Sequence, residues 1–164
     1  MSINPADDVS RTDVIVERIN RALYSITPPH QFMSLLYGVI DAEARTFTYT
    51  NAGHPAPLFV RAAQIQTLKS HGMLLGVISD ATYERSVLDL AAGDVLVAFS
   101  DGVSEAMNLG RRMFRSDGIA SALQRHDAEP AATILQAIWS ELETHLLGGG
   151  EPDDRTLLVV RMQE

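Results

Sequence analysis

A chain of 164 residues with 46% apolar content is long enough for one domain with a substantial core and short for two, so residues 1–164 are read as a single domain. A net charge of −8, from 13 basic against 21 acidic residues, excludes a nucleic-acid-backbone binder, because nothing offsets phosphate repulsion. With no cysteine, no apolar run of about 18 residues and no leader-like segment, disulfides, thiolate zinc and membrane insertion are excluded, and a cytoplasmic location is expected.

Along the chain, Asn4-Pro5 or Ser10-Arg11-Thr12-Asp13 can start a helix whose stripe of Ile15, Ile19, Ala22, Leu23 and Ile26 faces a core, ended by Pro28-Pro29. Residues 32–40 are nearly all apolar, as for a strand covered on both faces. Residues 46–50 alternate at period two, and the polar 41–45 between them predicts a hairpin. Asn51-Ala52-Gly53-His54-Pro55-Ala56-Pro57 cannot continue a ladder and predicts a bent loop. Short strands at 58–60 and 64–68, a glycine-bracketed 72–77, and a strand at 83–90 turned back by 91–94 into 95–99 predict an antiparallel meander. Two helices then follow, the first near Ile119, Ala122 and Leu123. The second opens at 127–130, carries Ile134, Ile138, Leu142 and His145 or Leu146 on one side, and stops at Gly148-Gly149-Gly150. This order is an α+β pattern without βαβ rhythm.

The chemistry concentrates at two places. Val95-Leu96-Val97-Ala98-Phe99 ends abruptly in Ser100-Asp101-Gly102, which delivers Asp101 to the tip of a buried strand. Pro152-Asp153-Asp154-Arg155-Thr156 runs directly into the apolar 157–160, so acids also stand at the start of a strand. If those strands are antiparallel neighbours, the carboxylates share one sheet edge, where a divalent cation relieves their repulsion. Glu105 is read as an acid in the first turn of a helix rather than as a stacked partner of Asp101. His54, in a bent loop, either faces a cleft or simply hydrogen-bonds loop carbonyls; His30, His71, His126 and His145 are read as solvated, and Arg111-Arg112 as a solvated basic pair rather than a phosphoprotein contact.

Asn51-Ala52-Gly53-His54-Pro55, Leu75-Gly76-Val77, Gly93-Asp94, Ser100-Asp101-Gly102-Val103-Ser104-Glu105 and Asp153-Asp154-Arg155-Thr156 occur in an order and spacing that resembles the stage II sporulation protein E family of bacterial type 2C-like serine/threonine phosphatases. The resemblance implies a type 2C-like β-sandwich flanked by helices and a pair of Mn²⁺ or Mg²⁺ ions that activate water for attack on phosphorus. Carried over residue by residue, it makes Asp101 and Asp153 the metal-binding, catalytic carboxylates, and Gly102, Asn51, Gly53, His54 and Asp154 the residues that shape the site. It also implies a phosphoprotein substrate of the anti-sigma-factor antagonist type, in partner-switching stress signalling.

Family members carry two strands and an Asp-x-x-Gly-His-Gly motif upstream of the first helix, and no residue here takes the place of its bridging aspartate. Asp7-Asp8 belong to a helix start and Asp41 to a hairpin turn. The fold is therefore expected to be N-terminally truncated, with weak or partial metal binding and an uncovered sheet edge. Two alternatives follow: a piece of a larger phosphatase, or an inactive relative serving as a binding module that forms a homodimer through that edge.

Overall fold

The computed structural model describes residues 8–28, 30–147 and 153–163. They form helices and antiparallel strands in two compact units, one from the residues up to His54 with Lys69–Leu90, the other from Pro55–Leu68 with the residues from Ala91 onward.

In the first unit, helix α1 spans Thr12–Ile26 and so uses the Ser10-Arg11-Thr12-Asp13 start; Asn4-Pro5 lies outside the described residues. Ile15 and Val16 are buried, with Ile19 and Leu23 packed beside Ala52, Leu75 and Tyr83. The expected stripe is too long by one residue: Ile26 is 76% exposed, because the helix ends there and Thr27 turns to extended backbone ahead of Pro28. Apolar periodicity also passes over Asn20, which is fully buried. Its amide accepts from Gly76 N–H at 2.9 Å and donates to the Ile78 and Ser79 carbonyls, so a buried polar group is satisfied while it ties the 76–79 loop to α1.

Strands β1, Leu35–Asp41, and β2, Thr46–Ala52, form the expected hairpin, in register from Leu35 opposite Ala52 to Asp41 opposite Thr46. Asp41 Oδ1 accepts from the N–H groups of Glu43 and Ala44, which fixes the turn. Strand β5, Ser86–Asp89, pairs on the other side of β2. Position in this sheet overrides pattern: central β2 is buried from Phe47 to Ala52 despite its alternation, whereas terminal β1 is not covered on both faces as expected, with Ile40 39% exposed and Phe32 ahead of it 63%.

His71 is a structural residue rather than a solvated one. Its Nδ1 accepts from Asn51 N–H at 3.2 Å, its Nε2 donates to Ser86 Oγ at 2.8 Å, and its ring centroid lies 4.9 Å from that of Tyr49.

The second unit holds a sheet ordered β4-β3-β6-β7, from β3 Leu58–Arg61, β4 Gln64–Thr67, β6 Val95–Phe99 and β7 Leu157–Arg161. The meander expected across the middle of the chain is thus divided. Residues 91–94 do not fold β5 back on β6, which instead lies between β3 and β7. Asp94 explains the anchoring of that turn: it is 3% exposed, accepts from Ala91 N–H, and takes Arg61 Nε at 2.9 Å and Arg61 Nη2 on its other oxygen. Burial alone would push its carboxyl up, but the Arg61 and Ala91 hydrogen bonds outweigh that and hold it below the usual carboxylate range.

Helices α2 Asp101–Ser104, α3 Arg115–His126 and α4 Ala131–Leu146 complete this unit. Ile119, Leu123, Ile134, Ile138 and Leu142 pack with Val95, Val97 and Phe99 in one cluster. Truncating any of the fully buried ones to Ala costs about 2–5 kcal/mol. Strand β7, expected to be buried, is only half covered, with Leu158 55% exposed, because it ends the sheet. The Gly148-Gly149-Gly150 stop lies outside the described residues; α4 ends at Leu146. His145, expected to be solvated, donates from Nε2 to the Arg112 carbonyl at 2.8 Å and packs against Phe114.

Two predictions follow from local conformation and titration. The β3–β4 hairpin turns on Ala62-Ala63, both with positive φ (48° and 62°), a conformation that suits Asn-Gly. The double change Ala62→Asn, Ala63→Gly should therefore raise stability by about 1–2 kcal/mol in urea unfolding. Burial depresses the His71 pKa, so its contribution is complete above the unfolded value near 6.5 and is lost as pH falls below that toward the folded value. His71→Gln should flatten that part of the stability profile between pH 7 and 5.

Candidate metal centre and active site

Antiparallel pairing of β6 with β7 sets Phe99 opposite Leu157, so the chain leaving β6 and the chain entering β7 meet at one end of the sheet. Ser100 carries the pairing one step further. Its N–H donates to the Thr156 carbonyl at 3.0 Å, and its hydroxyl accepts from Thr156 N–H at 2.9 Å and donates to the Asp154 carbonyl at 3.2 Å. One side chain thus fixes the backbone on which both Asp153 and Asp154 stand.

Asp101 follows as the first residue of α2, exposed, with Oδ1 accepting from Gly102 N–H at 2.9 Å. Asp153 is likewise exposed, its Oδ1 accepting from Asp154 N–H at 2.8 Å. Each carboxylate is held at one oxygen by a neighbouring amide, and neither forms an ion pair among the described residues. Gly102 is buried between them. A Cβ there would stand 2.3 Å from the Asp154 carbonyl oxygen and 3.4 Å from Asp153 Oδ2, so only glycine lets the two segments approach. Glu105 is not in the first turn of a helix as expected. It caps the C-terminal end of the four-residue α2, its N–H bonded to the Asp101 carbonyl.

Asn51, Gly53 and His54, expected to shape the site, lie in the first unit and close a knot of their own. Asn51, fully buried in β2, accepts at Oδ1 from His54 N–H at 2.8 Å and donates from Nδ2 to the His54 carbonyl at 3.1 Å. Gly53 turns the chain at φ +69°, with Leu74 against the position a Cβ would occupy. His54 Nδ1 lies 3.0 Å from Ser34 Oγ.

Two adjacent aspartates with free oxygens suit a hard divalent cation that keeps several waters, as Mg²⁺ does on one or two carboxylates. Among the described residues no group of three or more His, Cys, Asp or Glu could hold a metal ion, so these two carboxylates do not make a complete protein coordination shell. The role of Ser100 and the Arg61–Asp94 pair escaped the sequence reading. A hydroxyl residue at the end of an apolar strand was the signal for the first, while residues 33 positions apart gave none for the second.

The match to a known family runs over residues 5–163. The chain belongs to the stage II sporulation protein E (SpoIIE) family. It is 28% identical over 150 residues to phosphoserine phosphatase RsbU of Bacillus subtilis, covering 90% of this chain and 44% of RsbU. It is 29% identical over 130 residues to protein IcfG of Synechocystis, covering 79% of this chain and 20% of IcfG. The chain therefore spans less than half the length of these curated relatives. Its fold matches the SiaA-PP2C domain of Pseudomonas aeruginosa with a TM-score of 0.80 at 21% identity, over 92% of this chain and 61% of that one. It also matches the manganese-presoaked SpoIIE phosphatase domain of Bacillus subtilis, with a TM-score of 0.67 at 20% identity, over 98% and 68%. The α+β fold is that of PP2C phosphatase domains. Among the described residues no helix is long and apolar enough to cross a membrane.

Because the Gly102 position has no room for a methyl group, Gly102→Ala should destabilise the chain by about 1–3 kcal/mol. Ser100→Ala should cost about 0.5–1.5 kcal/mol by removing the exposed hydrogen bonds to Thr156 N–H and the Asp154 carbonyl, whereas Ser100→Thr, which keeps the hydroxyl, should stay near wild type. Urea unfolding midpoints at unchanged slope are the check.

Proposed function

We propose that this chain is a metal-dependent phosphoserine/phosphothreonine protein phosphatase module. The observation that carries the reading is that exposed Asp101 and Asp153 flank the same end of the paired strands β6 and β7 in a SpoIIE-family chain. RsbU bears the name phosphoserine phosphatase, and solved PP2C relatives include manganese-bound forms, which support the same chemistry here. The binding-module alternative is not favoured, since RsbU is named a phosphoserine phosphatase and the matched SpoIIE structure is a phosphatase domain.

In this reading Asp101 and Asp153 hold Mn²⁺ or Mg²⁺, with water and further oxygen donors completing the shell. When bound, the metal acidifies water and offsets charge on the phosphoryl oxygens, so the protein needs no covalent nucleophile. The polypeptide's part is orientation. Gly102 and Asp154 N–H groups fix one oxygen of each carboxylate, and Ser100 locks the strands that carry them. Rigid placement of this kind is what would keep the two carboxylates oriented toward a shared cation.

The substrate is proposed to be a phosphoprotein of the anti-sigma-factor antagonist type, on the strength of membership in the family of RsbU. A cytoplasmic setting suits a chain without cysteine. Self-association through the outer edge of β1, which lies at the end of its sheet with Ile40 exposed, is the assembly this reading favours.

Manganese-dependent release of phosphate from p-nitrophenyl phosphate and from a phosphoserine protein is the direct test. Asp101→Asn and Asp153→Asn should each lower kcat/KM by at least about 100-fold and weaken Mn²⁺ binding in calorimetric titration. If either variant keeps wild-type activity in a protein that hydrolyses the substrate, the assignment is wrong.

A further inference from the structure

The segment that follows α2 is a small projecting hairpin, closed by the bridge between Met107 and Met113. Its tip is ordered: Arg111 N–H donates to the Asn108 carbonyl at 2.9 Å, Asn108 N–H to the Arg112 carbonyl at 3.1 Å, and Arg112 N–H to Asn108 Oδ1 at 3.1 Å. Its base is tied by Phe114 N–H to the Ala106 carbonyl at 2.9 Å and by His145 to the Arg112 carbonyl. Phe114 itself is buried against Gly118, where a Cβ would stand 2.4 Å from the ring. A hairpin this well tied nevertheless exposes apolar side chains, Met107 at 40%, Leu109 at 73% and Met113 at 37%.

The hairpin and the first residue of α3 also gather positive charge in an acidic chain. Arg111, Arg112 and Arg115 are all exposed and supply three of the 13 basic residues within five positions. None forms an ion pair among the described residues, although 21 acids are available in the sequence. Arg111 and Arg115 are held at φ 57°, a left-handed conformation that costs a non-glycine residue about 1 kcal/mol or more. Preorganised, unpaired arginines beside exposed Met and Leu match a polypeptide ligand that is acidic and apolar at once.

We propose that the 107–115 hairpin is a docking element for the acidic, apolar flank of a phosphoprotein substrate. This rests on the phosphatase reading for the word substrate, but the recognition itself needs no chemistry. The hairpin begins at Met107, three residues after the end of α2, whose first residue is Asp101, so the docking element and the carboxylate lie on neighbouring parts of the same chain. Arginines bind the acidic residues by charge-assisted hydrogen bonds, and Leu109 with the two methionines takes the apolar ones.

Binding is measured by fluorescence anisotropy on the full 164-residue chain in EDTA, with two synthetic phosphoserine peptides, one flanked by Glu, Asp and Leu and the other by Lys and Ser. The acidic, apolar peptide should bind at least about tenfold tighter, with affinity falling as salt rises. Arg111→Glu with Arg112→Glu should abolish that preference at an unchanged unfolding midpoint, and Leu109→Ser should weaken it independently. If the charge reversal alters folding, Arg111→Gln with Arg112→Gln carries the same expectation. Equal binding of the two peptides, or a preference that survives the double variant, overturns the proposal. So does arginine-dependent binding to phosphatidylserine vesicles in place of the peptide. Manganese-dependent hydrolysis of p-nitrophenyl phosphate by the wild-type chain reports separately on the phosphatase reading, so the two can fail apart.

Discussion

The close approach of the chain leaving β6 to the chain entering β7 is the constraint on which the site depends. It rests on the absence of one carbon atom and the presence of one hydroxyl. Glycine at 102 leaves space for the Asp154 carbonyl, and Ser100 spans the same gap with a donated and an accepted hydrogen bond. Neither feature touches a reacting atom. Both sit where the sheet ladder runs out, and without them two exposed turns would be free to drift apart, since exposed carboxylates repel rather than attract.

The same logic recurs away from the site. Asn20 ties the 76–79 loop to α1, Asn51 closes the loop at His54 onto itself, and Asp94 gathers Arg61 and the Ala91 amide at the turn ahead of β6. Each is a buried polar side chain with its partners in place, and each fixes irregular backbone that hydrophobic packing alone leaves undetermined. A satisfied buried polar group adds little net stability, yet it is costly to orphan, so it selects one conformation among many of similar compactness.

This division explains what the amino-acid order revealed. The helices α1 and α4, the β1–β2 hairpin and the acidic residues flanking β6 and β7 were all legible, because periodicity and turn residues encode local structure directly. What failed was context. Ile26 fits the α1 stripe but sits at the helix end; Phe32 and Ile40 belong to an apolar run but flank or occupy a terminal strand; and β5 precedes β6 without pairing with it. The histidines show the same limit, since His71 and His145 look solvated among polar neighbours in sequence and are engaged by residues 20 and 33 positions away. The placement of Asp101 and Asp153 at one end of the β6–β7 pair was legible because strand termini are local, while the contacts that hold them were not.

Charge arrangement then decides what such a site can accept. Two like charges about 4 Å apart repel by roughly 1 kcal/mol in bulk water and roughly 4 kcal/mol near a protein surface, and a phosphate monoester adds up to two more negative charges. A chain carrying a net charge of −8 cannot draw an anionic polypeptide to a pair of aspartates by its overall field. Attraction has to be local and of opposite sign. In the proposed reading a divalent cation provides it at the carboxylates, while Arg111 and Arg112 on the hairpin and Arg115 at the start of α3, none of them in an ion pair among the described residues, provide it for the polypeptide. Because screening confines the field of an exposed charge to about 10 Å at moderate salt, attraction of this kind works by direct contact rather than by long-range steering, which is why the proposed reading needs positive charge both at the phosphate and along the chain that bears it.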